Sequence, residues 1–419
     1  MKKLHCKWIL VSGKLAVWTA ALLGAAAAQA GGYQLNDYSV TGLGRSFAGA
    51  GVVGDDYSAI AFNPAGMSLA TRSGFQIGIT PVNLRSNVAD RASPQTGELS
   101  VTVPVPHAFA QYKVNDKVDI GLGVYAPYGL ATRYKSSWMG RDEAILSKLD
   151  IIDIAPAISY RITSQWSVGA SIIARYIYGH MTNAINLGGG AIPGSQSDFE
   201  LDGWTVAGSL GVVYQPTEDT RIGLSWRSGS KQQVKGDHKM EGLPGGAAVY
   251  NGTYTGRSSP DLPQTFTLAA YHKIQKFGLS GTARWTGWSE SFPRFVMKSE
   301  NPMFASAGGI AKNATYNWRN AWTLATGLDY YHSDNWTFRT GVAWDQSPAK
   351  RDTERTLRIP DTDRMWLSAG FSYIWESWQL DVGYAYMIGQ TARILDGGRD
   401  YKYTDMRANL LGVQAQFKF

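Results

Sequence analysis

Cysteine is nearly absent from this chain of 419 residues: Cys6 is the only one, and it falls in a leader-like segment at the N-terminus. Disulfides and thiolate chemistry are therefore excluded downstream. No run of eighteen or more apolar residues follows Ala30, which excludes transmembrane helices. Blocks of like charge are missing too. The formal charge of +7 falls to +3 once Lys2, Lys3, Lys7 and Lys14 are set aside, and no basic stretch remains to argue for nucleic acid. The remaining histidines, His107, His180, His238, His272 and His332, have no metal-ligand spacing. Neither a metal nor another cofactor is expected. Asp237-His238 comes nearest to a hydrolase pair, but neighbours in extended chain point apart, and the run Gly188-Gly189-Gly190 punctuates a loop rather than cradling a phosphate. No catalytic residues are assigned.

What is present starts with export. Four lysines precede an apolar stretch from Leu15 to Ala28, and Ala28-Gln29-Ala30 is a small-residue cleavage site. Residues 1–30 read as a signal peptide, with the mature chain beginning at Gly31. The last nine residues put apolar side chains at Leu411, Val413, Ala415, Phe417 and Phe419 with polar or small ones between. That period of two recurs in fourteen segments, from 74–82 to 408–419. With no soluble core for the apolar face to join, it predicts an all-β fold: a 14-stranded antiparallel transmembrane β-barrel over residues 74–419. On the thirteenth segment Trp378, Leu380, Val382, Tyr384, Tyr386 and Ile388 take the lipid face, and Gln379 and Asp381 the other. Short turns such as Asn115-Asp116 and Glu376-Ser377 alternate with long loops such as 83–104 and 126–149, which puts both barrel ends in the periplasm. A cell outer membrane of Gram-negative type follows, with its lipid and lipopolysaccharide as surroundings. The terminal Phe419 is the kind of residue such barrels offer the barrel-assembly machinery.

Residues 31–73 do not alternate. They carry Gly42, Gly44, Gly49, Gly51 and Gly54, the pair Asp55-Asp56, and Asn63-Pro64-Ala65. A barrel of fourteen strands encloses more space than its own side chains fill, so the segment is placed as an N-terminal hatch inside the lumen, the alternative being a periplasmic tail.

Gly32-Tyr-Gln-Leu-Asn36, Gly42-Leu-Gly-Arg45 and Asn63-Pro-Ala65, followed by Asp334-Asn-Trp-Thr-Phe-Arg-Thr-Gly341, Ile359-Pro-Asp-Thr-Asp-Arg364 and Trp366-Leu-Ser-Ala-Gly370, resemble the FadL family of outer-membrane channels for long-chain fatty acids and other hydrophobic compounds. The resemblance spans almost the whole mature chain. It implies a hatch anchored by Asn63, Pro64 and Ala65, and passive uptake in which a ligand leaves sideways through a gap beside a kinked third strand. Here that strand carries Pro127 and Gly129, which either form the kink or merely begin a loop. The resemblance also implies a basic ligand contact at Arg319. By strand parity Trp318, Trp322, Leu324 and Leu328 face lipid and Arg319 faces inward. The family's second arginine falls near Asn183; Arg175 either substitutes for it or is an ordinary lumen charge. Three functions stay open: a channel for fatty acids or similar amphiphiles, one of the same build for neutral aromatic hydrocarbons, and, remotely, an adhesin or surface enzyme.

Overall fold

The computed structural model describes residues 31–396 and 398–419; the leader expected over 1–30 lies outside them. Fourteen strands make the wall: β1 (Gly74–Asp90), β2 (Thr96–Lys113), β3 (Val118–Arg133), β4 (Leu146–Arg161), β5 (Trp166–Asn183), β6 (Gln196–Tyr214), β7 (Thr220–Arg227), β8 (Thr265–Ile274), β9 (Phe277–Thr286), β10 (Ala321–Tyr331), β11 (Trp336–Asp345), β12 (Arg364–Trp375), β13 (Trp378–Gly389) and β14 (Arg399–Lys418). Each pairs antiparallel with the next, and β14 closes on β1 from Gly74 opposite Lys418 to Asp90 opposite Tyr401. Every wall strand therefore has a partner on both sides, which is what lets strands span a bilayer.

The alternation decides which side is which. On β14 Leu411 and Val413 are exposed while Gln414 and Gln416 are buried, and on β13 Tyr384 and Ile388 are exposed while Gln379 and Asp381 are buried. Polar residues inside and apolar ones outside invert a soluble core, as a lipid-facing wall requires. Trp166, Trp336 and Trp375 stand on the outer face near the short-turn end. At the other end Trp226, Phe266, Trp285 and Trp322 lie side by side across β7 to β10, forming part of an interfacial belt.

Two expectations need correction. The stretch 83–104 is mostly strand, because β1 runs on to Asp90 and β2 starts at Thr96; several wall strands extend past the membrane before they turn. Trp318 does not face lipid. β10 begins only at Ala321, Asn317 has a left-handed backbone (φ 47), and Trp318 turns inward and is 2% exposed. Above β6 to β10 the wall continues into a small extracellular sheet of Val234–Glu241, Gly252–Ser258, Arg294–Ser299 and Ile310–Thr315.

Residues 31–69 pack inside the barrel. Their backbone is irregular, with α1 (Val40–Leu43) capped by Ser39 and α2 (Ala59–Phe62) leading into a 3-10 turn over Pro64–Leu69. Asn63 starts that turn: its Oδ1 accepts from the Ala65 amide at 3.1 Å, and its Nδ2 donates to the Val212 carbonyl of β6 at 3.2 Å. Pro at the first position of the turn gives up an amide that would have no partner there. Two wall glycines make the approach possible. A Cβ on Gly211 would stand 1.9 Å from Asn63 Oδ1, and one on Gly169 would stand 2.3 Å from the Ala65 nitrogen. Further down, Arg45 pairs with Asp55 and with Asp329 of β10 at 2.9 Å each, and Arg339 of β11 pairs with Asp55 at 3.1 Å and Asp329 at 3.5 Å. Two charges from the segment and two from the wall form a closed, neutral quartet.

Candidate ligand site and lateral opening

At the extracellular side of the segment, wall and loops surround a chamber with predominantly apolar lining, the kind of lining common in small-ligand sites. Leu130, Leu149, Ile177, Met181, Phe199 and Leu201 come from β3 to β6, Phe292, Met297 and Tyr316 from the loops above β9 and β10, and Tyr33 from the N-terminal segment. These loops bend inward through an aromatic cluster: Tyr33 lies 4.8 Å from Trp288, Trp288 lies 5.1 Å from Trp318, and Trp318 lies 4.9 Å from Phe292. Trp318, expected in lipid, thus helps build the chamber.

One charged group lines it. Arg358, on the loop between β11 and β12, is 8% exposed. Its Nη1 donates to the Leu146 carbonyl and Ser147 Oγ, and its Nη2 to Asn183 Oδ1, each at 3.0 Å. All three acceptors are neutral. Burial lowers the affinity of this guanidinium for its proton, while Tyr316, Glu143 and Asp396 raise it electrostatically. The Tyr33 hydroxyl, also in the chamber wall, has no hydrogen-bond partner. A buried cation whose direct hydrogen-bond partners are all neutral, and an unpaired hydroxyl, set in otherwise apolar walls, suit a molecule with a long apolar body and one anionic end.

The residues expected from the sequence lie elsewhere. Arg319 is 38% exposed outside the chamber, where its Nε donates to the Ser347 carbonyl at 3.2 Å and its Nη2 faces Asp363 at 3.9 Å. Arg175 is inside the lumen and fully buried, but Asp153 holds it through two hydrogen bonds of 2.6 and 2.8 Å and also binds Arg227 at 2.8 Å. Arg358 was missed, although it immediately precedes the Ile359–Arg364 stretch and sits alone between Leu357 and Ile359. Asn183, where a second arginine was sought, instead orients Arg358.

Beside the chamber the wall is interrupted. β2 and β3 pair from Lys113 opposite Asp119 only as far as Ala108 opposite Val124. Above that point β2 keeps β1, and β3 keeps β4 with a break in register between Tyr125 and Tyr128. Pro127 falls in that break, where it has no amide to offer a ladder. Tyr125 to Thr132 are all buried, with no alternation, so this part of β3 has left the wall surface and turned inward. The N-terminal segment takes up the freed groups: the Leu35 amide donates to the Pro127 carbonyl at 2.8 Å and the Gly129 amide to the Tyr33 carbonyl at 2.9 Å. Of the hydrolase-like pair, His238 is buried between Ser197 and Ser299 while Asp237 is exposed.

Comparison with known proteins places this geometry. The chain is 28% identical to a long-chain fatty acid transport protein of Salmonella typhi over 418 residues, covering 93% of this chain and 94% of that one. The crystal structure of a Pseudomonas aeruginosa FadL homologue matches with a TM-score of 0.83 at 24% identity, over 93% of this chain and 100% of that one. The Pseudomonas putida toluene transporter TodX matches with a TM-score of 0.72 at 16% identity, with the same coverage. Residues 21–419 match the model of the outer membrane protein transport family (OMPP1/FadL/TodX), and the chain belongs to that family of outer-membrane proteins.

Proposed function

We propose that the protein is a passive channel for long-chain fatty acids or similar anionic amphiphiles, which enter the apolar chamber from outside and leave sideways between β2 and β3. The observation that carries this reading is Arg358, a buried guanidinium with neutral partners only, in a chamber otherwise suited to hydrocarbon. A neutral aromatic ligand gains nothing from that cation. A carboxylate gains a charge-assisted hydrogen bond, typically about 1.5–3 kcal/mol. Fatty-acid transport by the Salmonella relative supports the same choice, and the toluene transporter keeps neutral hydrocarbons as the second reading.

Sideways exit rests on the unpaired stretch above Ala108 and Val124, with Pro127 and Gly129 turned inward. Burial favours each methylene by roughly 0.8 kcal/mol, so a chain that passes straight into the bilayer avoids the cost of crossing water. Residues 31–73 serve as the hatch, seated through Asn63, Pro64 and Ala65. The test measures oleate and toluene binding to wild type and to Arg358→Ala. Weaker oleate binding with unchanged toluene binding supports the fatty-acid channel; equal loss of both points to damaged packing, and no loss of either shifts the reading to neutral hydrocarbons. For the exit, cysteines at Pro106 and Ala126, each two residues beyond the last ladder rung, should block uptake when oxidised and restore it when reduced.

A further inference from the structure

The outer face of the extracellular sheet carries a row of cations that the channel reading does not use. Arg257 lies directly opposite Lys235 on one neighbouring strand and directly opposite Lys298 on the other. All three side chains are on the exposed face, since Val234, Ser258 and Met297, one residue away on each strand, are buried. Like charges directly opposite each other in a sheet are destabilising. A fourth cation, Arg294, stands on the same face of the strand that carries Lys298. Compensation from the protein is partial: Glu300 reaches Arg257 at 2.6 Å, both side chains being 57% exposed, while Asp202, across from Lys235, and Asp237 and Glu200 in the adjoining row make no ion pair with the four cations among the described residues. The four cations border an open groove whose floor includes Val234, Val296 and Ile310.

Position identifies the occupant. The three strands that bear the row are joined by short links to wall strands whose outer faces carry Trp226, Phe266 and Trp285. The row therefore stands outward of the aromatic belt, at the level of the outer leaflet's head groups. We propose that Lys235, Arg257, Arg294 and Lys298 form a binding site for the phosphorylated saccharide head group of an outer-leaflet lipid, that is, lipopolysaccharide. Phosphates bridging neighbouring cations relieve the repulsion along the row, and the apolar floor accommodates the less polar faces of the head group. Charge complementarity favours this occupant over a fatty acid, since one carboxylate leaves most of the row uncompensated. Val234 and Ser258 nevertheless line both this groove and the apolar chamber, so the test separates the two routes.

The experiment titrates the purified full-length barrel in detergent with lipopolysaccharide, with the same lipopolysaccharide after enzymatic dephosphorylation, and with oleate, comparing wild type with the triple variant Lys235→Gln, Arg257→Gln, Lys298→Gln. Heat-modifiable gel mobility confirms that the variant is folded, and the double variant Lys235→Gln, Lys298→Gln replaces it if it is not. The expected result is at least a tenfold weaker affinity of the variant for lipopolysaccharide, no difference between the proteins on the dephosphorylated form, and unchanged oleate binding. Equal lipopolysaccharide affinity in the two proteins overturns the proposal. So does a variant that loses oleate while keeping lipopolysaccharide, which assigns the row to ligand capture; neither outcome bears on Arg358.

Discussion

Two levels of the lumen bury arginines in opposite ways. In the quartet, Arg45 and Arg339 each face both Asp55 and Asp329, so every charge has two counter-charges. In the chamber above, Arg358 is buried among neutral acceptors. Arg284, which lies deeper, also makes no ion pair, but Asp37 and Asp345 share its polar cavity. A saturated network holds parts together, whereas a buried cation with only neutral hydrogen-bond partners still has something to gain from an anion. Arg319, by contrast, is accessible and faces Asp363 at 3.9 Å, whereas Arg358 is buried and bonded to neutral groups only.

The largest effect should come from breaking the saturated level. Removing one partner of a buried ionic network typically costs 3–5 kcal/mol, because charges remain without compensation. In Arg339→Ala, Asp55 and Asp329 are left to share Arg45. The expected outcome is release of residues 31–73 from the lumen with the wall intact, read as rapid proteolysis of the segment and ion leakage in planar bilayers at normal heat-modifiable mobility. Unchanged protease protection and a silent bilayer would mean that the quartet does not seat the segment.

Next comes the unsaturated level. Arg358→Ala should weaken oleate binding about ten- to a hundredfold, the range equivalent to the charge-assisted bond it loses. Arg358→Lys should recover only part of this, because an ammonium cannot reproduce the fork that now reaches Leu146, Ser147 and Asn183. Arg319→Ala should change oleate affinity less than twofold. A larger loss at Arg319 than at Arg358, measured by titration on purified protein, would reverse the ranking of the two.

Asn63→Ala tests the seat of the segment from the other side. It removes a cap to the Ala65 amide and a tie to the Val212 carbonyl, and losing such a cap costs about 0.5–2 kcal/mol. Uptake should fall severalfold while the amount of barrel in the membrane stays normal. Normal uptake at normal abundance would leave the turn as packing alone.

The wall was legible because its cause is local. Each strand must put alternate residues into lipid, so Trp378, Tyr384 and Ile388 on β13 announce their face whatever the rest of the chain does. The chamber was not legible because its cause is long-range: Tyr33, Ile177 and Arg358 meet only after the barrel closes and the loops fold inward. The lipid-facing placement of Trp318 failed at one identifiable point. Strand parity was carried through Asn317, whose left-handed φ of 47 resets which side each following residue takes, and an asparagine in that conformation has no fixed sequence mark. Pro127 was readable as an interruption, but the partner its neighbours find instead, the backbone of Tyr33 and Leu35, could be seen only in three dimensions.

The smallest expected effect lies outside the membrane, in the sheet above β6 to β10. His238 stacks on Phe199 with ring centres 3.7 Å apart and is hydrogen-bonded between the Ser197 and Ser299 hydroxyls. Burial lowers its pKa to about 4, against an ordinary value of 6.5. A lowered value means that the open form of this sheet takes up a proton more readily than the closed one. The stabilisation is therefore complete above about pH 6.5, declines as the pH falls, and is lost below about 4. Amide exchange over Val234–Glu241, corrected for its intrinsic pH dependence, should show opening becoming easier between pH 7 and pH 4 while wall amides stay protected. His238→Gln keeps a polar side chain that cannot take up a proton in this range, and it should abolish the pH dependence even if it loosens the sheet at every pH. An identical pH response in the variant would assign it to other groups of the loops.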